Sequence, residues 1–253
     1  MKKIKFMKLV TLNIWGGRVK EKHGEFFDRY KDVDIWCFQE VHNKGIQQIH
    51  VPGLNIDTEL FSNLSNTFSN YVGEFCQSYN GYYGLATFFN NKLELFQNGE
   101  TFIARGLDLE KDHKDWDHHR KLQWLELKEG GKLFLLVNLH GTHRPEGKSD
   151  SEKRLNQSRM IVNFLNMFNC PKILVGDFNL LPETKSIEML EESGMRNLIK
   201  EYGITSTRTE LYKKPIQFAD YIFVSPEIKV NDFRVLPDVV SDHSPLFLDF
   251  DII

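Results

Sequence analysis

Residues 172–182, KILVGDFNLLP, are the stretch from which the fold of this sequence is best interpreted. They begin with an apolar run, residues 173–175, of the kind that forms a strand buried on both faces. Gly176 ends the run, and Asp177 and Asn179 follow two positions apart. Because residues two apart in an extended chain point to the same side, a carboxylate and a carboxamide would project together from the strand end.

Two interpretations of this pair are open from the stretch alone. Asp177 and Asn179 are both oxygen donors, so they can hold a hard divalent cation or orient a water or a phosphate oxygen. Asp and Asn are also common turn formers, so a strand followed by an Asx turn would have the same sequence.

Other predicted strands also carry a polar group at one end, which favours the functional interpretation. Strand ends gather along one rim of a sheet, and ligand sites form there. Six strand ends therefore predict one shared site: the Asp177–Asn179 pair, Asn13, Glu40, His140, Asp220, and Asp242 with His243.

Six segments of the chain resemble the motifs of the endonuclease/exonuclease/phosphatase superfamily, a group of metal-dependent phosphoesterases. They follow the family's order and span residues 12–246: LNIWGG, FQEVH, NLHGTH, GDFNLLP, ADYIFVS and SDHSPL. The resemblance implies one catalytic domain over residues 1–253. It also implies an α/β (α+β) fold, a DNase I-like four-layer sandwich of two mixed β-sheets flanked by helices.

Apolar periodicity by itself indicates only an α/β or α+β protein. It predicts strands at 5–13, 33–39, 72–77, 84–89, 93–98, 122–127, 133–140, 221–224, 228–235 and 245–252 besides the stretch above. It predicts helices at 21–30, 58–70, 149–169 and 184–192, with one or two helical turns in 43–50. We expect the strands at 72–77, 84–89 and 93–98 to form an antiparallel meander. The charged residues 106–121 are typical of a solvated loop, with a substrate-facing loop as the alternative.

Composition limits the function further. The chain has 253 residues with 32 Lys and Arg against 35 Asp and Glu, a net charge of -3. This balance gives no broad electrostatic attraction to nucleic acid, although a local basic strip is compatible with it. Three cysteines, an odd number, indicate reduced core residues of an intracellular protein. We see no signal peptide and no membrane span, so we expect a cytoplasmic protein. We expect it to be a monomer.

The resemblance implies a metal site. Glu40 ends a buried strand and would be the principal metal ligand, with Asn13 and Asp242 completing or flanking the site. Oxygen ligands with few carboxylates suit Mg²⁺ or Mn²⁺ better than zinc.

The resemblance also implies catalytic roles. Asp177 and Asn179 would align the attacking water and hold the phosphate. His243 would contact the phosphate or act as the acid or base, and Asp220 would fix its tautomer.

Three further candidate residues lie at the end of the predicted strand at 133–140 and in the loop after it. His140 resembles the histidine that some branches direct at the phosphate or leaving group. His143 and Arg144 follow it as candidate substrate contacts, with solvated loop residues as the alternative.

The predicted function is therefore a divalent-metal-dependent hydrolase of phosphodiester bonds, a nuclease or phosphodiesterase. Its substrate would be nucleic acid or a small phosphodiester. One alternative is a phospholipid or sugar-phosphate phosphoesterase of the same superfamily. A second is a binding module that keeps the fold without the chemistry. Departures from the abasic-site endonuclease and inositol-phosphatase motifs argue against those two branches.

Overall fold

The computed structural model describes residues 6–44, 55–79, 82–104, 119–143 and 147–253. Its strands are β1 Met7–Asn13, β2 Ile35–His42, β3 Tyr71–Tyr79, β4 Tyr83–Asn90, β5 Glu94–Ala104, β6 Arg120–Glu129, β7 Lys132–His140, β8 Lys172–Asp177, β9 Arg196–Asn197, β10 Asp220–Val224, β11 Ile228–Val235 and β12 Leu246–Ile252. Its helices are α1 His23–Arg29, α2 Leu60–Thr67, α3 Glu152–Leu165, α4 Lys185–Glu192 and α5 Leu198–Glu201. Two short 3-10 turns, Trp15–Gly17 and Lys20–Lys22, precede α1.

The strands form two mixed six-stranded sheets. The first has the order β11-β12-β1-β2-β4-β3 and the second the order β5-β6-β7-β8-β10-β9. Each contains one parallel pair, β1 with β2 and β7 with β8, among antiparallel neighbours. Helices α1 and α2 contribute apolar residues to one core cluster with the first sheet, whereas α3 and α4 pack with the second. The predicted sandwich of two mixed sheets flanked by helices is confirmed.

A buried polar network joins the two sheets directly behind the strand ends. Gln39 of β2 donates through Nε2 to Asn138 Oδ1 of β7 at 2.7 Å and to Thr11 Oγ1 at 3.1 Å. Thr87 of β4 donates to Gln123 Oε1 of β6 at 2.8 Å. An unsatisfied buried polar group costs about 1–3 kcal/mol, so these bonds favour one alignment of the sheets. Gln39 directly precedes Glu40, so the alignment of the two sheets also sets the position of Glu40 at the strand ends.

The predicted meander of 72–77, 84–89 and 93–98 is wrong in its third strand. β3 and β4 pair as expected, but β5 begins at Glu94 and pairs with β6 in the opposite sheet. The turn after β4 carries Leu93 into the core between the sheets, where it is 6% exposed. A turn signal marks where a strand ends, whereas the choice of partner strand depends on pairing over the full length of β5.

The last two residues of the charged segment 106–121 do not lie in a solvated loop. Arg120 and Lys121 begin β6 and are buried, while residues 106–118 lie outside the described residues. Lys121 pairs there with Glu100 of β5. Of the helical turns predicted in 43–50, residues 43 and 44 are non-helical and the remainder lie outside the described ranges.

The helix predicted at 149–169 is shorter, because Ser151 caps it by accepting the N–H of Arg154. Asp150 lies near the start of the helix predicted at 149–169, where an Asp commonly caps a helix. It accepts the N–H groups of Lys185 and Ser186 and so caps α4. The short elements β9 and α5 carry too little periodicity to be predicted.

Within the described ranges, every helix is too short or too polar to cross a membrane. The three cysteines are unpaired, and Cys37 and Cys76 are buried.

Candidate functional site

Strand register places the polar strand ends together. Asp177 ends β8 and lies in register with His140 of β7 on one side and with Asp220 of β10 on the other. In the other sheet, Asn13 ends β1 beside β2, which carries Glu40. The facing strand ends of both sheets therefore line one site, with Asp177 at its centre.

Asn13 links the two sheets at this site. Its Nδ2 donates to Asp177 Oδ2 and to Glu40 Oε1, each at 3.0 Å. Its Oδ1 accepts the backbone N–H of Trp15 at 3.0 Å. The carboxamide therefore presents its donor group to both carboxylates and its oxygen to the backbone. A role as metal ligand stays a prediction for Asn13.

Glu40 stands in a strained backbone conformation. Its φ is +58°, and the pairing of β2 with β4 shifts register between Phe38 and Val41. A left-handed conformation costs a non-glycine residue about 1–2 kcal/mol, and such strain is found at functional sites. The side chain keeps 27% exposure. Burial raises the pKa of Glu40, which the hydrogen bond from Asn13 opposes.

His243 and Asp220 form a directly bonded pair. Both carboxylate oxygens of Asp220 lie 2.9 Å from Nδ1 of His243. Thr207 donates to Asp220 Oδ2 at 2.9 Å and holds the carboxylate in place. Burial alone would lower the pKa of His243, but the charges of Asp220 and Asp177 and the hydrogen bond to Asp220 together raise it. The other nitrogen, Nε2, lies 3.7 Å from Asp177 Oδ2.

Asp177 is buried at 2% exposure and surrounded by cationic and donor groups. Its Oδ1 accepts the backbone N–H of Asn179 at 2.9 Å, and its Oδ2 lies 3.6 Å from His140 Nε2. Burial by itself would raise the pKa of this carboxyl. The positive charge of His243 leads the opposing effects, which together hold the pKa well below its usual range. Asp177 is therefore ionised near neutral pH.

His140 is buried beside Tyr83, which sequence reasoning missed as a site residue, and close to Arg120. The Tyr83 hydroxyl lies 3.4 Å from His140 Nδ1. Burial, followed by the charge of Arg120, lowers the pKa of His140 well below its usual value, so the imidazole is neutral. No local pattern marks Tyr83, because it enters the site from β4 in the opposite sheet.

Lys148 is another buried cation that sequence reasoning missed. Its Nζ donates to Asn179 Oδ1 at 3.0 Å. Burial lowers its pKa to about 8, although the nearby Asp177 opposes the shift. Lys148 precedes α3 in a polar segment, where local sequence predicts an exposed lysine.

Asp242, His143 and Arg144 complete the predicted set. Asp242 Oδ2 accepts from Arg208 Nη1 at 3.2 Å, while its Oδ1 is buried without a hydrogen-bond partner in the described structure. The carbonyl of His143 accepts from Arg154 at 3.0 Å. Arg144 lies outside the described residues.

Two groups of side chains have ligand atoms close enough to share a metal ion. Glu40, His140 and Asp177 form one, and Asp177, Asp220 and His243 form the other, with ligand atoms within 4.8 Å of one another. In the second group, His243 and Asp220 already bond to each other, so the first is the better fit for a cation. Its carboxylates, with the unpartnered oxygen of Asp242 nearby, fit a hard ion such as Mg²⁺ or Mn²⁺.

Comparisons with known proteins show what this chain is similar to. The model of the Endonuclease/Exonuclease/phosphatase family matches residues 10–243. No curated protein sequence matches this chain.

Several solved structures share the fold. An endonuclease/exonuclease/phosphatase family protein from Bacteroides thetaiotaomicron has a TM-score of 0.74 and 19% identity, covering 97% of this chain and 95% of that chain. A mannosyl-6-phosphatase from the same organism has a TM-score of 0.73 and 19% identity, covering 97% of this chain and 100% of that chain. TDP2 from D. rerio, complexed with a single-strand DNA product, has a TM-score of 0.70 and 13% identity, covering 98% and 99%.

Proposed function

Because this chain belongs to the endonuclease/exonuclease/phosphatase family, we propose that it is a divalent-metal-dependent hydrolase of phosphodiester bonds. One observation carries the proposal. The ionised Asp177 lies 3.6 Å from His140 Nε2 and 3.7 Å from Nε2 of His243, which is itself bonded to Asp220. A carboxylate between two imidazoles provides an acceptor and a donor at one point, which phosphoester hydrolysis requires.

Asp177 is suited to orient the attacking water. Its low pKa keeps it ionised, and Asn13 and the Asn179 backbone hold its two oxygens in place. A carboxylate that is fixed in this way can accept a hydrogen bond from water without reorganisation.

His243 is suited to donate to the phosphate or to the leaving oxygen. Its raised pKa keeps the imidazole protonated further toward neutral pH, and Asp220 holds the proton on Nδ1. The ring edge at Nε2, which faces Asp177, then carries the second proton, which can be donated to an anionic oxygen. His140 is neutral and would contribute a dipole or a ligand atom.

A divalent cation would be held by Glu40 and Asp177, with His140 beside them. When bound, such an ion neutralises charge on a phosphate oxygen and lowers the pKa of water. The partial exposure of Glu40 leaves room for the waters that Mg²⁺ retains.

The described residues favour short or small substrates. The residues that could contact nucleic acid beside the strand ends are Arg105, Arg120, Lys121, His143 and Arg144, with Trp15 and Trp116 as stacking faces. Lys121 is paired with Glu100, and Arg120 lies close to His140. Arg105, Trp116 and Arg144 lie outside the described residues. Trp15 offers a partly exposed ring with Arg18 stacked 4.7 Å from its centroid, which is one surface for stacking a base.

A sugar-phosphate substrate is the second candidate. The observation that favours it is the structural similarity to the mannosyl-6-phosphatase along the whole of that chain. The net charge of -3 is compatible with a small phosphorylated substrate that needs no extended basic surface.

The test is a substrate screen with Mg²⁺, with Mn²⁺ and with excess chelator. Bis-p-nitrophenyl phosphate and p-nitrophenyl phosphate report diester and monoester cleavage. Single-stranded DNA, duplex DNA, RNA, cyclic nucleotides, phospholipids and hexose phosphates identify the natural class. We expect metal-dependent diester cleavage, the rate of which His243→Ala lowers by about 10²–10⁴-fold. A folded protein that cleaves none of these substrates with either metal would be a binding module.

A salt series then tests the substrate size. The His243→Ala variant is titrated with duplex DNA and with a short single strand between low and physiological salt. Few phosphate contacts predict weak duplex binding with a shallow salt dependence. Tight duplex binding with a steep salt slope would contradict the preference for short substrates.

A further inference from the structure

Lys148 is attached to the Asp177–Asn179 turn through both its backbone and its side chain. The residue is 4% exposed. Its carbonyl accepts the backbone N–H of Leu181 at 3.0 Å, and its Nζ donates to Asn179 Oδ1 at 3.0 Å. The backbone bond of Lys148 thus holds its ammonium group against the Asn179 side chain.

Arg154 connects the Asn179 backbone to the segment that precedes α3. Its guanidinium donates to the backbone carbonyls of Asn179, His143 and Gly147. Arg154 is fully buried, and its bond to the Asn179 carbonyl is buried with it. The position of Lys148 relative to Asn179 is therefore set by a buried network, and not by a mobile surface side chain.

The contact from Lys148 decides which way the Asn179 carboxamide faces. An ammonium group can only donate, so the atom that it contacts must be the amide oxygen. The amide nitrogen then points to the opposite side of the group. Within the described ranges, Asn179 Nδ2 donates to no residue and remains available. The backbone of Asn179 is in the left-handed region with φ +56°, which a bond from its N–H to Asp177 supports.

We propose that Lys148 is a positioning residue, which locks the Asn179 carboxamide so that Nδ2 donates to a phosphate oxygen of the substrate. The inference rests on the proposed function because it takes a phosphate group as the ligand. Without Lys148, the carboxamide can rotate by half a turn and present its oxygen, which repels an anionic phosphate. The buried ammonium also adds positive charge beside the bound anion.

The charged state of Lys148 is consistent with this role. Its pKa, lowered by burial to about 8, leaves it mostly protonated at pH 7. The charged groups that face it are Asp177, Asp220, Arg208 and Arg154.

The test measures binding of inorganic phosphate by calorimetry at pH 7 with saturating Mg²⁺. Lys148→Met keeps the length of the side chain and removes the donor. We expect its phosphate affinity to fall about tenfold, the size of one lost charge-assisted hydrogen bond. Lys185→Met is the matched control, because Lys185 is half exposed on α4 and pairs with Glu188 and Glu192. That control should bind phosphate as the wild-type protein does.

A double-mutant cycle separates positioning from direct contact. Asn179→Ala should lose at least as much affinity as Lys148→Met, and the double variant should lose no more than Asn179→Ala alone. Losses that multiply, or a Lys148→Met variant with wild-type affinity, would overturn the inference. Mn²⁺ affinity without phosphate should be unchanged in Lys148→Met. A parallel fall in Mn²⁺ affinity would show a general collapse of the site and would also overturn it.

These outcomes distinguish the inference from the proposed function. A wild-type protein that binds phosphate through the Lys148–Asn179 pair, yet hydrolyses nothing in the screen, would sustain the inference and contradict the hydrolase. An active enzyme whose phosphate affinity is unchanged by Lys148→Met would support the hydrolase and contradict the inference. If wild-type protein binds no phosphate, the inference is wrong.

Discussion

Both carboxylate oxygens of Asp220 lie 2.9 Å from Nδ1 of His243, and neither residue is more than 4% exposed. A buried carboxylate in this position holds the imidazole in one tautomer and favours its protonated form. The pair is separated by 23 positions in sequence and is created by the approach of β10 to the loop before β12.

The first prediction concerns this pair. Asp220→Asn and His243→Ala should each lower the rate of diester hydrolysis by about 10²–10⁴-fold, the range for general acid–base groups. Because the two residues act as a unit, the double variant should be little slower than the slower single variant. The measurement is a double-mutant cycle in kcat/KM. Losses that multiply would show that the two residues act separately.

The second prediction concerns Glu40. Glu40→Gln keeps the size of the side chain and its bond with Asn13 but removes the charge that would attract a cation. Activity at limiting Mg²⁺ should fall by about 100-fold or more. Higher metal concentration should restore part of it. Glu25→Gln is the control, because Glu25 lies on the exposed face of α1, and this variant should have wild-type activity. If Glu40→Gln has the wild-type dependence on metal concentration, the assignment of Glu40 as a metal ligand is wrong.

The third prediction concerns the backbone behind Asp177. Gly176 has φ +136°, and a Cβ there would lie 2.0 Å from the carbonyl oxygen of Leu139 in the neighbouring strand. Gly176→Ala should therefore lower the free energy of unfolding by about 3 kcal/mol or more. Gly194→Ala should cost about 1–2 kcal/mol, because φ there is +92° but the space is open. Urea denaturation measures both. Equal losses would mean that β7 yields to the added methyl group.

The fourth prediction concerns pH and the loop that carries Asp242 and His243. His23 is buried with Nε2 3.2 Å from the carbonyl oxygen of Val240, and burial lowers its pKa below 6.5. Its contribution to stability is therefore complete above pH 6.5 and is lost as pH falls through the folded-state value. The free energy of unfolding, measured by urea denaturation, should fall between pH 7.5 and pH 5. The fall should be smaller in His23→Gln than in the wild-type protein, because Gln retains a donor for the Val240 carbonyl but does not titrate. Parallel losses in both proteins would contradict the assignment.

Particular residues show how far local patterns extend. Each polar strand end was predictable because the polar residue directly precedes or follows an apolar run in the sequence. The prediction that these residues form one site followed from the general rule that strand ends gather along one edge of a sheet. The register of His140 and Asp220 with Asp177 agrees with that rule. The partner of β5 was not predictable in this way, since both sheets offer an edge strand to an apolar strand of suitable length.

The caps of the helices show the same limit. Asp150 lies at a predicted helix start, so its sequence position favoured a cap on α3. It caps α4 instead, 35 positions later, because the loop before α3 folds onto the start of α4. A capping side chain is encoded locally, but the helix that receives it depends on packing.

The sequence by itself determined the family, the class of fold and the polar residues at the strand ends. These depend on alternation and on motif order, which are written along the chain. Only the tertiary structure decided that Tyr83 meets His140 across 57 positions and that Lys148 meets Asn179 across 31. It also decided which way the Asn13 and Asn179 carboxamides face. Such contacts depend on strand pairing and buried hydrogen bonding between distant segments, so no local pattern specifies them.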